Sequence, residues 1–299
     1  MEQRLNVVLS PITHDDYVLS GVLRQRLIQA TMQIGVHGSY VNPEHVEIVL
    51  SDAIAQMQQR QYLIEPAQPI SVGRGRYAQT HTFVHQNSAL EVAQAWAQRG
   101  FQVGLLHHVR PDGGMHASLR GEHAQEATLY RSSLLSLTPY IREWYDDAYQ
   151  ALSPMYDARL MVTPQVPFIR THVGDLLSTP WQAAVVSAVP VHTQRILTQM
   201  PEYAAEVPMI MLARMQRIFR AFAATRVNVV VVGAWGCGRQ GGDAGMLADI
   251  YATLLADTVS RHFAVVDFAL PGGPTSQAWY AHYRELFQER TFVHAADTM

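Results

Sequence analysis

Apolar residues form two different patterns along the chain. From residue 73 onward, four short runs of consecutive apolar and β-branched residues predict strands buried on both faces, at 103–109, 183–191, 227–234 and 264–270. Apolar residues with helical spacing lie beside them, over 89–97, 124–137, 209–224 and 246–263. Because strands alternate with helices, the pattern predicts an α/β fold whose sheet is covered on both faces.

The chain before residue 73 is more polar and has a helical pattern. Apolar residues recur at helical spacing over 17–32 and 46–62, and the string GSYVNP at 38–43 separates the two segments. We expect a helical extension over residues 1–75 that serves packing or partner contact, followed by a main domain over 76–299. The length of 299 residues also allows two small domains.

Composition and charge exclude several classes of protein. A chain with 48% hydrophobic and 16% charged residues is too apolar to be disordered. The formal net charge of -3 predicts no general binding of nucleic acid or of an anionic membrane. All 22 basic residues are arginine, which excludes Schiff-base and P-loop lysines. The spacing of Arg214, Arg217 and Arg220 predicts one solvent-facing helix stripe.

Cysteine, histidine and the N-terminus bear on cofactors and compartment. The single cysteine, Cys237, excludes an internal disulfide and a cysteine-rich zinc site. No spacing among the 14 histidines completes a recognised metal site, so we expect neither a metal nor a resident cofactor. No apolar run reaches the ~20 residues of a bilayer span, and no basic signal-peptide start is present. We therefore expect a soluble, cytoplasmic protein.

The first candidate ligand loop follows the run at 103–109. Ligands of α/β sheets bind beyond the carboxyl ends of the strands. Gly113 and Gly114 lie there, where missing side chains let backbone N–H groups approach a ligand. Gln125 and Glu126 open the next helix. They bind ligand hydroxyls on one interpretation; on the other, Glu126 stabilises the first helical turn by ~0.3–1 kcal/mol. The spacing leaves both open.

The second candidate loop reads GAWGCGRQGGDAGM, residues 233–246. It joins a predicted strand to a predicted helix that Asp243 can cap. Unpaired N–H groups and the helix dipole at such a place favour a phosphate. The loop has no Walker A lysine and follows the third predicted strand, so it is neither a P-loop nor a Rossmann fingerprint. We predict a pyrophosphate site. Cys237 in this loop is either a nucleophile near the helix start or a small loop residue.

Several strings together resemble one family. The pair GG followed by AQE and YRSS, the loop GAWGCG, and the strings QATMQIGVHGSY, FVHQNSALEVAQAW, VPFIRTHVGDLL and SAVPV occur in order along the chain. In this combination the chain resembles the microbial-type poly(ADP-ribose) glycohydrolase (PARG) family, a branch of the macrodomain fold. The resemblance implies a macrodomain-like three-layer α/β/α sandwich with a mixed sheet, and ADP-ribose or an ADP-ribosylated substrate as the partner.

The resemblance also implies a set of site residues. In the family, the glycine motif after the first core strand and the GAWGCG loop hold the diphosphate and distal ribose of ADP-ribose. Carried over to this chain, and including the side chains beside these glycines, the ligand-binding positions are Asp112, Gly113, Gly114, Gln125, Glu126, Gly233, Ala234, Gly236, Cys237, Gly238, Arg239, Gln240 and Gly241.

The chain departs from the family on the distal-ribose side. The family has a second glutamate that acts as general acid and then base on the glycosidic bond, whereas this chain has Ala127, which cannot transfer a proton. Arg110 and Asp112 stand where the family has an asparagine and a glycine, and Gln240 stands where it has a phenylalanine.

Three interpretations of function follow. In the first, the protein is a reader that binds ADP-ribose or a related NAD-derived nucleotide, with weak or altered hydrolysis. In the second, it is an active ADP-ribosyl glycohydrolase in which Asp112, Glu122 or Glu126 replaces the lost carboxyl group, with Glu126 the best placed as catalytic residue. In the third, it is a partner-binding scaffold with a vestigial pocket.

Overall fold

The structure, a computed structural model, describes residues 19–110, 118–122, 124–140, 144, 153–271 and 276–293. The strands in these ranges are β1 Ser39–Val41, β2 Glu47–Val49, β3 Tyr62–Ile64, β4 Gln79–His85, β5 Val103–His108, β6 Leu160–Arg170, β7 Leu176–Ala188, β8 Val229–Val232, β9 Val265–Ala269 and β10 Arg290–Val293. The α-helices are α1 Gly21–His37, α2 Ser51–Arg60, α3 Ala89–Gln98, α4 Gln125–Ser132, α5 Thr193–Gln199, α6 Val207–Thr225, α7 Ala244–Ala256 and α8 Ser276–Phe287.

One eight-stranded mixed sheet organises the described part of the chain. Its strand order is β10-β4-β9-β8-β5-β7-β6-β3, and β1 and β2 form a separate hairpin. The pairs from β4 to β7 are parallel, whereas β10, β6 and β3 pair in antiparallel fashion. The four apolar runs of the sequence thus become four adjacent parallel strands, β9, β8, β5 and β7.

Helices cover both faces of this sheet. Alternate residues of the central strands enter two separate cores, because successive side chains of a strand point to opposite faces. Val230 and Val232 pack with residues of α6, α7 and α8, whereas Val229 and Val231 pack with residues of α1, α2, α3 and α4. All residues of β8 and β9 are buried for this reason. The predicted three-layer α/β/α sandwich with a mixed sheet is confirmed.

Local capping sets the starts of the two helices that point at the carboxyl end of the sheet. Ser88 and Glu91 form a reciprocal capping box at α3, with the serine hydroxyl accepting from the Glu91 N–H and the Glu91 carboxylate accepting from the Ser88 N–H. Asp243 caps α7 by accepting from the Met246 N–H at 2.6 Å. Such caps stabilise a helix by about 1 kcal/mol and fix where it begins.

The N-terminal segment is less helical than its pattern predicts. The predicted helix over 46–62 is divided into β2, α2 and β3, and β3 pairs with β6 of the main sheet, with Tyr62 opposite Val162. Helix α1 is joined to α4 by the Thr31 hydroxyl, which donates to the Arg131 carbonyl at 2.6 Å. A domain boundary at residue 75 stays a prediction. None of the described helices combines the length and the apolar character that crossing a bilayer requires.

One charged stripe predicted to face solvent does not do so along its whole length. Arg214 on α6 is buried, and its guanidinium donates to the carbonyls of Val189, Met155 and Tyr156. The prediction was wrong at this position because three backbone carbonyls satisfy a buried guanidinium, which three-residue spacing cannot show. Burial lowers the pKa of Arg214 to about 10, so its charge persists at neutral pH.

Candidate active site

A cavity of about 380 Å³ lies at the carboxyl ends of the central parallel strands. Its size is within the range of sites for small ligands. Its walls come from the end of β5, the start of α4, the loop after β8, the start of α3, the segment after β9 and the start of α8: Ser88, Ala89, Leu90, Leu106, His108, Val109, Arg110, Ala124, Gln125, Glu126, Thr128, Leu129, Pro190, Val232, Gly233, Ala234, Gly236, Gly238, Arg239, Gln240, Ala269, Leu270, Pro271, Ser276 and Trp279.

The cavity exists because β5 and β8 separate toward their carboxyl ends. The β5–β8 register runs only to Leu105, opposite Val231. The Val109 N–H donates to the Ala188 carbonyl at the end of β7. Because the backbone groups of successive strand residues point to opposite sides, the Leu106 carbonyl and the His108 N–H point the other way, toward the opening. The Gln125 amide fills this gap in the ladder. It donates to the Leu106 carbonyl at 2.9 Å and accepts from the His108 N–H at 3.2 Å.

Gln125 therefore has a structural role that the sequence did not predict. Its amide completes hydrogen bonds that a neighbouring strand makes elsewhere in the sheet, and it holds the strand end open. Buried N–H and C=O groups without partners cost about 1–3 kcal/mol each. Gln125 thus positions the floor of the cavity whether or not it also contacts a ligand.

The glycine-rich loop after β8 folds back on itself through its own backbone. The N–H groups of Trp235, Cys237 and Gly242 donate to the carbonyls of Gly233, Ala234 and Gly236, respectively. Gly236 has a φ of 81°, in the left-handed region that suits glycine. A Cβ atom at Gly236 would lie 2.9 Å from the Cβ of Pro190, so the loop packs closely against the segment after β7.

Several backbone donors of this loop have no partner among the described residues, among them three in the stretch 236–239. The N–H groups of Gly236, Gly238 and Arg239 make no hydrogen bond within the described part of the chain, and all three residues line the cavity. They belong to the loop that leads into α7, whose dipole adds positive potential at its N-terminus. Clustered N–H groups at a helix start bind an anion such as a phosphate.

Cys237 is not arranged as a nucleophile. The residue is buried, its thiol contacts the Trp235 carbonyl at 3.8 Å, and it is not one of the cavity-lining residues. Burial, together with the nearby charge of Asp243, raises the pKa of the thiol to about 12. The thiol is therefore protonated at neutral pH, and of the two interpretations for Cys237 the structure favours a small loop residue.

Among the described residues that line the cavity, Glu126 is the one with a carboxyl group. Its Oε1 accepts from the Arg110 N–H at 3.2 Å and lies 3.6 Å from Nε2 of His107. His107 is buried, and its Nδ1 is 2.9 Å from the Ser187 hydroxyl. Burial and the neighbouring His107 lower the pKa of His108 to about 3, so His108 is neutral at physiological pH. Ala127, where the family has its second glutamate, is fully buried.

An arginine–glutamate–arginine bridge joins the two candidate loops. The Glu122 carboxylate lies 3.0 Å from a guanidinium nitrogen of Arg110 and 2.8 Å from one of Arg239. Arg110 follows β5, Arg239 belongs to the glycine-rich loop, and both line the cavity. The shared carboxylate therefore ties the end of β5 to the glycine-rich loop.

The other side of the cavity is apolar. Leu90 at the start of α3, Leu270 and Pro271 after β9, and Trp279 on α8 form this wall. Helix α3 and β9 are tied together by Asp267, which is buried and accepts from the Trp96 indole N–H and pairs with Nδ1 of His85, both at 2.8 Å. A flat apolar group fits such a wall.

The structure brings together eight of the predicted site residues around this cavity: Gln125, Glu126, Gly233, Ala234, Gly236, Gly238, Arg239 and Gln240. Cys237 and Gly241 are not among the lining residues; a Cβ atom at Gly241, whose φ is 72°, would lie 2.9 Å from the Cβ of Gln194, so the loop packs closely against α5 there. Asp112, Gly113 and Gly114 lie outside the described residues. Within the described ranges, no cluster of three or more histidine, cysteine or acidic residues could hold a metal ion.

The sequence did not predict the apolar wall or the two contacts of Glu122 with Arg110 and Arg239. The start of α3 could have been predicted, because Ser88 and Glu91 have the spacing of a capping box and follow a strand. That spacing indicates a helix N-terminus at the end of the strand. Nothing in the sequence marked Leu270, Pro271 and Trp279, which reach the cavity only through the order of the strands. The pairing of Glu122 with Arg239 joins residues more than a hundred positions apart.

Comparisons with known proteins agree with this site. The family model for the catalytic domain of microbial-type PARG matches residues 28–171. The poly(ADP-ribose) glycohydrolase from Thermomonospora curvata is 27% identical, with a TM-score of 0.75 over 87% of this chain and 98% of that one. Its complex with the inhibitor ADP-HPD gives a TM-score of 0.72 at the same identity and coverage.

A second bacterial enzyme is similar as well. The poly(ADP-ribose) glycohydrolase from Deinococcus radiodurans, solved in complex with ADP-ribose, is 26% identical, with a TM-score of 0.69 over 78% of this chain and 96% of that one. A comparison with curated protein sequences found no significant match. The family model and the solved structures together confirm the resemblance seen in the sequence: over residues 28–171 this chain is similar to the catalytic domain of the microbial-type PARG family.

Proposed function

We propose that the protein binds ADP-ribose, or a related ADP-ribosyl nucleotide, in the 380 Å³ cavity. The observation that carries the proposal is the row of three unpartnered N–H groups, at Gly236, Gly238 and Arg239, before helix α7. Such donors suit a diphosphate. A similar enzyme from Deinococcus radiodurans was solved with ADP-ribose, and one from Thermomonospora curvata with ADP-HPD, which supports this ligand class.

The walls of the cavity suggest how the ligand lies. The diphosphate contacts the glycine-rich loop, and the adenine lies against the apolar wall of Leu90, Leu270 and Trp279. The distal ribose then lies toward Gln125 and Glu126, at the edge where Glu122 bridges its two arginines. This orientation places the bond that a glycohydrolase cleaves beside the start of α4.

We further propose that the protein is a divergent reader with weak or altered hydrolysis. Cleavage of a glycosidic bond needs a carboxylic acid that protonates the leaving group and then activates water. Ala127 has no such group. Glu126 remains, but its Oε1 is held by the Arg110 N–H, which suits positioning of the loop or of a ribose hydroxyl. Loss of one positioned acid typically costs ~10²–10⁴-fold in rate.

An active glycohydrolase is the second candidate, and one contact favours it. Glu126 lines the cavity with its carboxylate 3.6 Å from Nε2 of His107, so an imidazole nitrogen lies beside a cavity-lining carboxyl group. In this mechanism Glu126 protonates the leaving oxygen and then accepts a proton from the attacking water. Arg110 positions Glu126 through its backbone N–H and does not itself react.

Calorimetric titration with ADP-ribose tests the binding proposal. We expect saturable heat with ADP-ribose and weaker binding of adenosine, which lacks the diphosphate. The absence of heat with ADP-ribose and with other NAD-derived nucleotides at millimolar concentration contradicts the proposal and supports a scaffold with a vestigial pocket.

The expected cytoplasmic location suits the single cysteine, Cys237, which is a free thiol, and belongs to the same proposal.

Two substitutions separate the reader from the hydrolase. Poly- and mono-ADP-ribosylated proteins are incubated with the native protein, with Glu126→Gln and with Ala127→Glu. For a reader, the native protein releases little ADP-ribose, and Ala127→Glu raises release by ~10²-fold or more. Efficient release by the native protein that Glu126→Gln abolishes identifies Glu126 as the acid and overturns the reader proposal. Efficient release that Glu126→Gln leaves unchanged contradicts both mechanisms.

A further inference from the structure

A second cavity, of about 280 Å³, lies at the opposite end of the sheet from the first. Its walls come from the loop before β4, from α6 and from the turn before β9, so it is located at the amino ends of the parallel strands. The first cavity is at their carboxyl ends. The two sites therefore share no lining residue and can be altered independently.

The charge of this second cavity has one sign. Arg74, Arg220, Arg261 and His262 line it, and none of the lining residues, all in the described part of the chain, is acidic. Neither Arg74 nor Arg220 makes a hydrogen bond or ion pair with another described residue. A chain with a net charge of -3 thus carries a concave patch of cationic side chains at this end, and Arg74 and Arg220 contribute two charges without an ion-pair partner among the described residues.

The wall of the cavity is built and not merely a group of surface arginines. The Arg76 guanidinium donates to the carbonyls of Arg226, Val227 and His262, which ties the loop before β4 to the starts of β8 and β9. The N–H groups of Arg76 and Tyr77 both donate to the Arg261 carbonyl, at 2.8 and 2.9 Å.

Two further lining residues show how closely the segments pack. A Cβ atom at Gly75 would lie only 2.7 Å from the Cβ of Arg261, so the glycine lets the loop approach the arginine. His262 is buried, and its pKa is lowered by burial and by the charges of Arg76, Arg261 and Arg220. All three charged neighbours that act on it are cations, which agrees with a positive potential in the cavity.

We propose that this second cavity is a binding site for a phosphate-bearing anion of the size of a diphosphate. Guanidinium groups recognise phosphate through paired N–H donors, and their charge-assisted hydrogen bonds are about twice as strong as neutral ones. A concave site lined by one sign of charge concentrates the counter-ion further. The binding of an anion relieves the repulsion among the clustered cations.

Titration with inorganic pyrophosphate tests the site directly. We compare the native protein with Arg74→Gln/Arg220→Gln and with a matched control, Arg26→Gln/Arg284→Gln, which removes two exposed arginines outside the cavity. Because all three proteins retain the first cavity, only the difference between the two variants reports on the second. We expect the cavity variant to bind pyrophosphate about tenfold more weakly than the control, with unchanged melting temperatures.

Binding of ADP in parallel identifies the source of the phosphate. A larger loss for ADP than for pyrophosphate in the cavity variant indicates a nucleotide, whereas equal losses indicate the diphosphate group alone. If the double variant does not fold, Arg220→Glu replaces it, since this exposed helix position makes no hydrogen bond or ion pair with another described residue and charge reversal still abolishes the site. Equal affinity of the cavity and control variants, or no heat from the native protein at millimolar pyrophosphate, overturns the proposal.

Discussion

Two glycines of the same loop give opposite predictions when each is replaced by alanine. Gly236 has a φ of 81°, and its added Cβ atom would lie 2.9 Å from the Pro190 side chain. Gly238 has no atom within 4 Å of an added Cβ and does not adopt the left-handed conformation. Gly236 thus serves the fold of the loop, whereas Gly238 serves the approach of a ligand.

The magnitudes follow from these surroundings. For Gly236→Ala, the left-handed conformation costs about 1–2 kcal/mol and overpacking about 1–3 kcal/mol. We expect a loss of about 2–5 kcal/mol in the free energy of unfolding, and a fall of about 4–10 °C in melting temperature. For Gly238→Ala, we expect no loss of stability, and a gain of up to about 1 kcal/mol from the less flexible unfolded chain.

Gly238→Ala, which is expected to keep its stability, is expected to lose ligand affinity. The methyl group of Gly238→Ala lies in open space at the cavity wall beside the three free N–H groups, where it displaces a phosphate. We expect ADP-ribose affinity to fall about tenfold or more, equivalent to about 1.4 kcal/mol. Thermal unfolding and calorimetry of both variants measure this. A Gly238→Ala protein that binds ADP-ribose as tightly as the native one refutes the assignment of this loop to the diphosphate.

Three further predictions concern charge and reactivity. The folded-state pKa of His108 is about 3 against an ordinary 6.5, so the unfolded chain takes up a proton that the folded chain does not, and stability falls as pH decreases through this window. The native protein is expected to lose about 1 kcal/mol more unfolding free energy between pH 7 and 5 than His108→Gln, a figure kept low because His108 is partly exposed. Urea unfolding at both pH values measures the two losses, and equal losses contradict the burial of His108. Cys237, with a pKa of about 12, reacts with iodoacetamide at pH 8 far more slowly in the folded than in the unfolded protein, and equal rates contradict a buried thiol. Arg239→Gln costs at most about 1 kcal/mol of stability because its side chain is 63% exposed, and a larger loss shows that its pairing with Glu122 is a structural element.

The central strands were predictable because they are buried on both faces. Runs such as 227–234 contain no polar residue apart from Asn228, and that pattern has one common interpretation in an α/β chain. Strands β4 and β6 were missed for the opposite reason. In β4 only Phe83 and Val84 are apolar, and two of its buried positions are threonines. In β6, Pro164 and Pro167 suggest a break, although β6 pairs with β7 through register shifts.

The site was predictable only where local sequence determines it. A strand, a glycine-rich loop and a capped helix occur in sequence order, so the anion site at 233–243 follows from local rules. The Gln125 amide and the Glu122 bridge depend on contacts between segments far apart in sequence, and no spacing encodes them. The missing carboxyl group at Ala127 is visible in sequence only through the family resemblance.

A crystal structure of the protein with ADP-ribose tests whether the glycine-rich loop holds the diphosphate. We expect the diphosphate within hydrogen-bonding distance of the N–H groups of Gly236, Gly238 and Arg239, and the adenine against Leu270 and Trp279. A ligand bound elsewhere on the molecule, or a diphosphate that does not contact this loop, contradicts it.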